Sequence, residues 1–254
     1  KAQFYTGGVG MTYLPYDNIG ASETARDTLT ITSIAAHEPL DDSLYYTNGS
    51  PSILRWFFFE PPPPFFAAIC TASGNVGGID FAGERNLFFT VHGTMTSDIV
   101  LALVAPGCTQ TPLCNVPFAS AGSIAIITDD LFAILPSASS ENIYFYELPN
   151  NPSTDPCDEV MSVALSCTAK DLTTLSQNHV GILCDDGTFR TFNVETYTMD
   201  DEDRGYIALP ATANTVNSVD IAFPRGEQQR LFISAIGRET RRSQNPEKKF
   251  KVQL

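Results

Sequence analysis

Apolar residues in this chain come in short runs, each closed by a polar turn, and the runs recur in a fixed order. A first set comprises "LTITSIA" (29–35), "VGGIDF" (76–81), "SIAIIT" (123–128), "DLTTLS" (171–176) and "SVDIAF" (218–223). Each is followed by a second run: "LYYT" (44–47), "LFFTV" (87–91), "LFAIL" (131–135), "VGILC" (180–184) or "LFISAI" (231–236). A third follows in turn: "ILRWFFF" (53–59), "DIVLALV" (98–104), "NIYFYEL" (142–148), "FRTFNV" (189–194) or "FKVQL" (250–254). Turn clusters such as Asn48-Gly49, Asp185-Asp186-Gly187 and Asn150-Asn151-Pro152-Ser153 separate them. Short runs rich in β-branched and aromatic residues, bounded by such turns, predict strands. No apolar period of ~3.6 residues persists long enough to predict a helix.

A small-residue triplet sets the frame. Cys70-Thr71-Ala72 recurs as Cys167-Thr168-Ala169, with Ala119-Ser120-Ala121 and Ala211-Thr212-Ala213 as relatives and Ala21-Ser22-Glu23 as a degenerate copy. Counted from residue 21, successive copies lie 49, 49, 48 and 44 residues apart. A further apolar run precedes each of the later four: "FFAAI" (65–69), "NVPF" (115–118), "MSVALS" (161–166) and "YIALP" (206–210). Four strands at such a period predict blades, twisted sheets that bury their two faces only by packing around a common axis. The triplet then marks the crossing from the outer strand of one blade to the inner strand of the next.

Through this strand order and period the sequence resembles the β-propeller superfamily over nearly its whole length. It lacks the Trp-Asp and Gly-His pairs of WD40 repeats, the double glycine of kelch repeats, the Tyr-Trp-Thr-Asp of receptor propellers and the Asp box of sialidases. The expectation is one all-β domain over residues 1–254, with repeats starting near 21, 70, 119, 167 and 211. Five blades of four antiparallel strands are expected. "MTYLPY" (11–16) would supply the last blade's missing outer strand and pair with the strand ending at Leu254. The alternative is an excerpt of a six- or seven-bladed chain.

Composition narrows the setting. The formal net charge is −14, and eight of the fifteen Lys and Arg lie in residues 225–254 against three Glu. The rest of the chain, with seven bases against twenty-six acids, would repel a phosphate backbone, so no nucleic-acid partner is expected. No apolar run reaches the ~18 residues of a membrane span. The chain begins at Lys1 and reads as processed or cut from a longer precursor. Six cysteines without Cys-x-x-Cys, together with the sequon Asn48-Gly49-Ser50, favour an extracellular or cell-surface location. Pro51 directly after that sequon weakens acceptance of a glycan at Asn48. The expected disulfides are Cys108–Cys114, closing a short Pro-bearing loop, and Cys157–Cys167, with Cys70 and Cys184 reduced in blade cores.

Candidate chemistry is sparse. Asp80 and Asp220 occupy matching innermost-strand positions, and Asp129 and Asp171 fall close to the same offset. A glycosidase needs two carboxylates converging on one site, and no Glu completes a trio here, so capping or pairing roles are expected for Asp80, Asp129 and Asp220. His37, His92 and His179 stand in unrelated contexts and read as ordinary strand or loop residues. "TGGVG" (6–10) lacks the lysine of a phosphate loop, and "DDEDR" (200–204) lacks the spaced ligands of a calcium loop. Pro61, Pro62, Pro63 and Pro64 enforce a stiff polyproline segment. It reads as a rigid loop, as a docking strip, or, where prolines are hydroxylated, as a site of O-glycosylation. No catalytic residue, metal or cofactor is expected. The expected function is a non-enzymatic interaction or structural module of a larger surface assembly, with a protein or glycan partner. The alternative is a carbohydrate-active enzyme or lectin using the axial funnel.

Overall fold

The computed structural model describes residues 9–11, 32–37, 43–57, 66–82, 86–104, 107–152, 155–186, 188–199, 205–206, 213–222 and 230–237. All regular elements among them are strands. β1 (Val9–Met11) comes first in the chain. β2 (Ser33–His37), β3 (Ser43–Thr47), β4 (Ser52–Phe57) and β5 (Phe66–Thr71) then form an antiparallel meander in chain order. β6 (Val76–Ala82), β7 (Asn86–His92), β8 (Ser97–Leu103) and β9 (Thr109–Val116) repeat it.

The next unit departs from this pattern. β10 (Ser123–Ile126), β11 (Leu131–Leu135) and β12 (Ser140–Glu147) lead into β13 (Asp158–Ser176), a single strand of 19 residues. Its first part pairs with β12 from Asp158 to Ala164 and, past an irregularity, at Ala169 opposite Ser140, and its second part pairs with β14 (His179–Cys184) from Ala169 to Ser176. One strand thus serves as the outer strand of one meander and the innermost strand of the next. The predicted junction at Cys167-Thr168-Ala169 lies inside this strand, and the chain is extended there rather than turned. β15 (Thr188–Asn193) follows, with β16 (Thr198–Met199) and β17 (Gly205–Tyr206) both paired to it. β18 (Ala213–Ala222) and β19 (Arg230–Gly237) make the last hairpin.

The innermost strands form a ring. β2 packs on β6, β6 on β10, β10 on β13, β13 on β18, and β18 returns to β2. The antiparallel sheets stand around this ring as a β-propeller. The amino-terminal strand takes part in closing the ring. β1 pairs with β19, Val9 opposite Ile236 and Met11 opposite Ser234. The amino-terminal strand therefore takes the third place in its sheet and covers the edge of β19 directly. Among the described residues it is the edge strand of this sheet; residues 12–16 and 250–254, which hold the rest of the expected closing pair, lie outside the described residues.

The apolar runs read as nearly continuous because, among the described residues, the middle sheets are buried on both faces. In β7, Leu87, Phe89 and Val91 enter the core shared with the preceding meander, whereas Phe88 enters the one shared with the following meander. β11 divides likewise: Phe132 and Ile134 face one way, Ala133 and Leu135 the other. Stacked pairs fill these layers, Phe132 on Tyr146 at 5.6 Å and Phe145 on Phe192 at 5.4 Å between ring centroids.

All six cysteines are bonded, in pairs other than those expected. Cys70 joins Cys108, Cys114 joins Cys157, and Cys167 joins Cys184, with Cα separations of 5.4, 5.1 and 5.9 Å. Cys108 and Cys114 cannot meet because the chain between them is the extended β9. Six residues of strand span ~20 Å, far beyond the ~7 Å limit for a disulfide. Cys157 and Cys167 are separated by the first part of β13 for the same reason. Each bond instead ties consecutive meanders, the last across the point where β13 passes from one to the next. The middle one is reinforced by a parallel bridge: the Asn115 N–H donates to the Asp155 carbonyl (3.1 Å) and the Cys157 N–H to the Asn115 carbonyl (2.8 Å).

Peptide mapping without reduction is expected to recover Cys70–Cys108, Cys114–Cys157 and Cys167–Cys184. Replacing Cys114 and Cys157 together by alanine is expected to lower unfolding stability by about 2–4 kcal/mol, measured by denaturant titration. Recovery of a Cys108–Cys114 peptide would refute the arrangement.

Candidate functional site

Where neighbouring innermost strands meet, polar side chains of one satisfy the backbone of the next. Ser33, at the start of β2, accepts the Ile79 N–H of β6 (3.2 Å). Ser123, at the start of β10, accepts the Leu172 N–H of β13 in the same way (3.0 Å) and donates its hydroxyl to the Asp171 carboxylate (2.5 Å). Between them, Asp80 of β6 accepts the Ile126 N–H of β10 at 2.6 Å and the Thr174 hydroxyl of β13 at 3.1 Å through Oδ2. Its Oδ1 accepts the Phe81 N–H (2.8 Å). Asp80 therefore ties three innermost strands, and the Thr174 hydroxyl also lies 2.7 Å from the Ile126 carbonyl.

The connection containing Ala119-Ser120-Ala121 is held from the preceding meander. The Thr90 hydroxyl donates to the Ala121 carbonyl (3.1 Å) and accepts the Gly78 N–H (2.9 Å). Ser97 accepts the Ala121 N–H (3.1 Å) and donates to the Phe118 carbonyl (2.6 Å). His92 Nε2 lies 3.1 Å from the same Ala121 carbonyl. A carbonyl only accepts, so Nε2 carries the proton. Gly77 and Gly78 are dictated by this closeness. A Cβ on Gly77 would collide with the Ala121 carbonyl and His92, and one on Gly78 would lie 2.6 Å from Ser123 Cα.

At this end of the innermost strands opens a cavity of about 330 Å³. Thr32, Gly77, Gly122 and Lys170 line it, each one residue before the position (Ser33, Gly78, Ser123, Asp171) where the innermost strands meet. Gly49, His92 and Ser120 contribute from the adjoining turns and strand ends. Small residues stand at this repeated position until Lys170, whose ammonium is the one cationic side chain among the described lining residues.

The residues singled out from sequence are scattered rather than brought together. Asp80 is buried in the staple described above, and Asp129 is exposed in the turn between β10 and β11. Asp220 pairs with Phe232 in the β18–β19 ladder, its side chain outside the described residues. Asn48 is half-buried in the β3–β4 turn, where its side-chain oxygen accepts the Ser50 N–H at 3.1 Å. His179 Nδ1 lies 3.3 Å from the Ser176 hydroxyl, and His37 ends β2. Pro61, Pro62, Pro63 and Pro64, and the acidic stretch 200–204, lie outside the described residues. No group of His, Cys, Asp and Glu with metal-ligand geometry occurs among the described residues. Burial, followed by the nearby Glu159 carboxylate, pushes the Tyr146 hydroxyl well above the usual tyrosine range, so it remains a proton donor to Glu159. Sequence reading passed over Lys170, Ser123 and Thr174. Lys170 was detectable as the single charge at a repeated small-residue position.

Asp80→Ala leaves the buried Ile126 N–H without its acceptor and is expected to destabilise the fold by about 2–3 kcal/mol. Thr174→Val should cost less, and the double variant should lose less than the sum of the two, as read from denaturant midpoints. Additive losses would show that the three strands are not tied through Asp80.

No protein-family model matches the sequence, and neither does any curated protein. Among solved structures, the chain is similar to a protein of unknown function from Bacteroides caccae, at 15% identity and a TM-score of 0.45. That similarity covers 67% of this chain and 59% of the other, so the chain spans less than two thirds of that protein's length. It is also similar to the WD40 β-propeller domain of Doa1, at 12% identity and a TM-score of 0.46, over 81% of this chain and 89% of that one. On its own ring of innermost strands and the antiparallel sheets around it, the chain has the β-propeller fold.

Proposed function

We propose that the protein is a non-enzymatic interaction and structural module of the cell exterior, working within a larger surface assembly. The observation that carries this reading is the placement of the three disulfides, each between consecutive meanders. Such bonds persist in oxidising compartments, and here they fix the sheets relative to one another, as a rigid display scaffold requires. Among the described residues no helix is long and apolar enough to cross a membrane. The acidic chain suits a protein or glycan partner rather than a nucleic acid. Asn48, half-buried and followed by Pro51, is a poor acceptor for a glycan in this reading.

A second reading, a lectin or glycosidase at the axial mouth, draws support from the cavity beside Lys170. Against turnover stands the engagement of Asp80 and Asp171. Glycosidic cleavage needs one carboxyl free to protonate the leaving oxygen and a second to act as base or nucleophile, whereas these two are bound to backbone and hydroxyl groups of neighbouring strands.

A panel of chromogenic glycosides is expected to show no hydrolysis by the purified, oxidised protein. Turnover that disappears in Asp80→Asn or Asp171→Asn would install the enzyme instead.

A further inference from the structure

We propose that the axial cavity beside Lys170 binds a monoanionic sugar acid, with the Lys170 ammonium holding its carboxylate; the assignment rests on the reading of the protein as a binding module. Lys170 is half-buried at the cavity wall and makes no ion pair or hydrogen bond with the described residues. An ammonium in such a place loses part of its hydration, and a ligand carboxylate restores the lost interaction through a charge-assisted hydrogen bond. Its neighbour Asp171 does not fill that role through Oδ1, which takes the Ser123 hydroxyl.

The remaining lining narrows the ligand class. Thr32 and Ser120 bring hydroxyls, and Gly49, Gly77 and Gly122 expose backbone. His92, with its proton on Nε2 toward Ala121, keeps Nδ1 as an acceptor in the neutral ring. Among the described lining residues there is no Phe, Tyr or Trp to stack on a nucleobase, and the His92 ring nitrogen is engaged with Ala121. A volume of about 330 Å³ lies at the lower end of the ~300–1,000 Å³ typical of small-molecule sites, room for a single sugar ring. One cation in a chain of net charge −14 favours a single negative charge over a phosphate ester or a polyanion. A compact, polyhydroxylated monoanion meets all of these conditions, and a uronate is its simplest form.

Isothermal titration of the oxidised protein with D-glucuronate, D-glucose and N-acetyl-triglycine tests this. Glucuronate should bind, and binding should weaken as salt is raised; glucose should bind at least tenfold more weakly or not detectably. Lys170→Met is expected to weaken glucuronate by about tenfold or more, the order of one lost charge-assisted hydrogen bond, while Lys170→Arg retains most of the affinity. Thermal melts and near-ultraviolet circular dichroism of both variants confirm that the fold is intact. Absence of glucuronate binding, or equal binding by Lys170→Met, overturns the assignment. Binding of N-acetyl-triglycine alone overturns it in favour of a peptide carboxy-terminus. Hydrolysis of a glucuronide would instead overturn the binding-module reading, so the two failures are distinguishable.

Discussion

A sheet that is apolar on both faces cannot exist alone in water, and every other feature of this protein follows from that constraint. Leu87, Phe89 and Val91 on one side of β7, with Phe88 on the other, each require a neighbouring sheet to cover them. Phe88 and Phe89 alone remove most of two aromatic rings from solvent, worth roughly 1.5–3 kcal/mol each. A linear stack would leave two apolar faces exposed, one at each end. Returning β18 to β2 removes both, and β1 covers the remaining edge of β19.

Packing by apolar faces is tolerant of sliding, and the polar groups near the axis remove that tolerance. Ser33, Asp80 and Ser123 each bind a particular backbone group of the next innermost strand, and Thr90 binds the Ala121 carbonyl in the connection leading to β10. These bonds are buried, so breaking any one leaves a donor or acceptor without water to replace its partner. They fix register from sheet to sheet, as the ladder bonds do within each sheet. Gly77 and Gly78 belong to the same device, since side chains there would hold β6 and β10 apart.

Strand order was legible in the residues because it depends on local pattern: "LFFTV" and "LFAIL" are apolar throughout for the reason just given. Junctions were less so. Cys167-Thr168-Ala169 resembles Cys70-Thr71-Ala72, yet lies within β13, since the next glycine or proline after it is Gly181, whereas Gly74, Gly77 and Gly78 follow the earlier copy closely. Cysteine pairing was illegible, since it depends on which outer strands are neighbours in space, not on spacing along the chain. The place of β1 depended likewise on a three-dimensional neighbour, the edge of β19. Asp80 was noticed for the right position, but its partners Ile126 and Thr174 lie 46 and 94 residues away. No local rule reaches that far.

The covalent ties are unevenly distributed around the ring. From β2 to β14, consecutive meanders are joined by disulfides, by the Asn115–Pro156 bridge and by the unbroken β13. With all six cysteines spent there, the contacts of β18 with β13 and with β2 are non-covalent. The cross-links are therefore concentrated in one arc of the ring. Thr32, Gly77, Gly122 and Lys170 all belong to the cross-linked arc. The axial cavity is accordingly shaped before any ligand arrives, and little ordering entropy remains to be lost on binding.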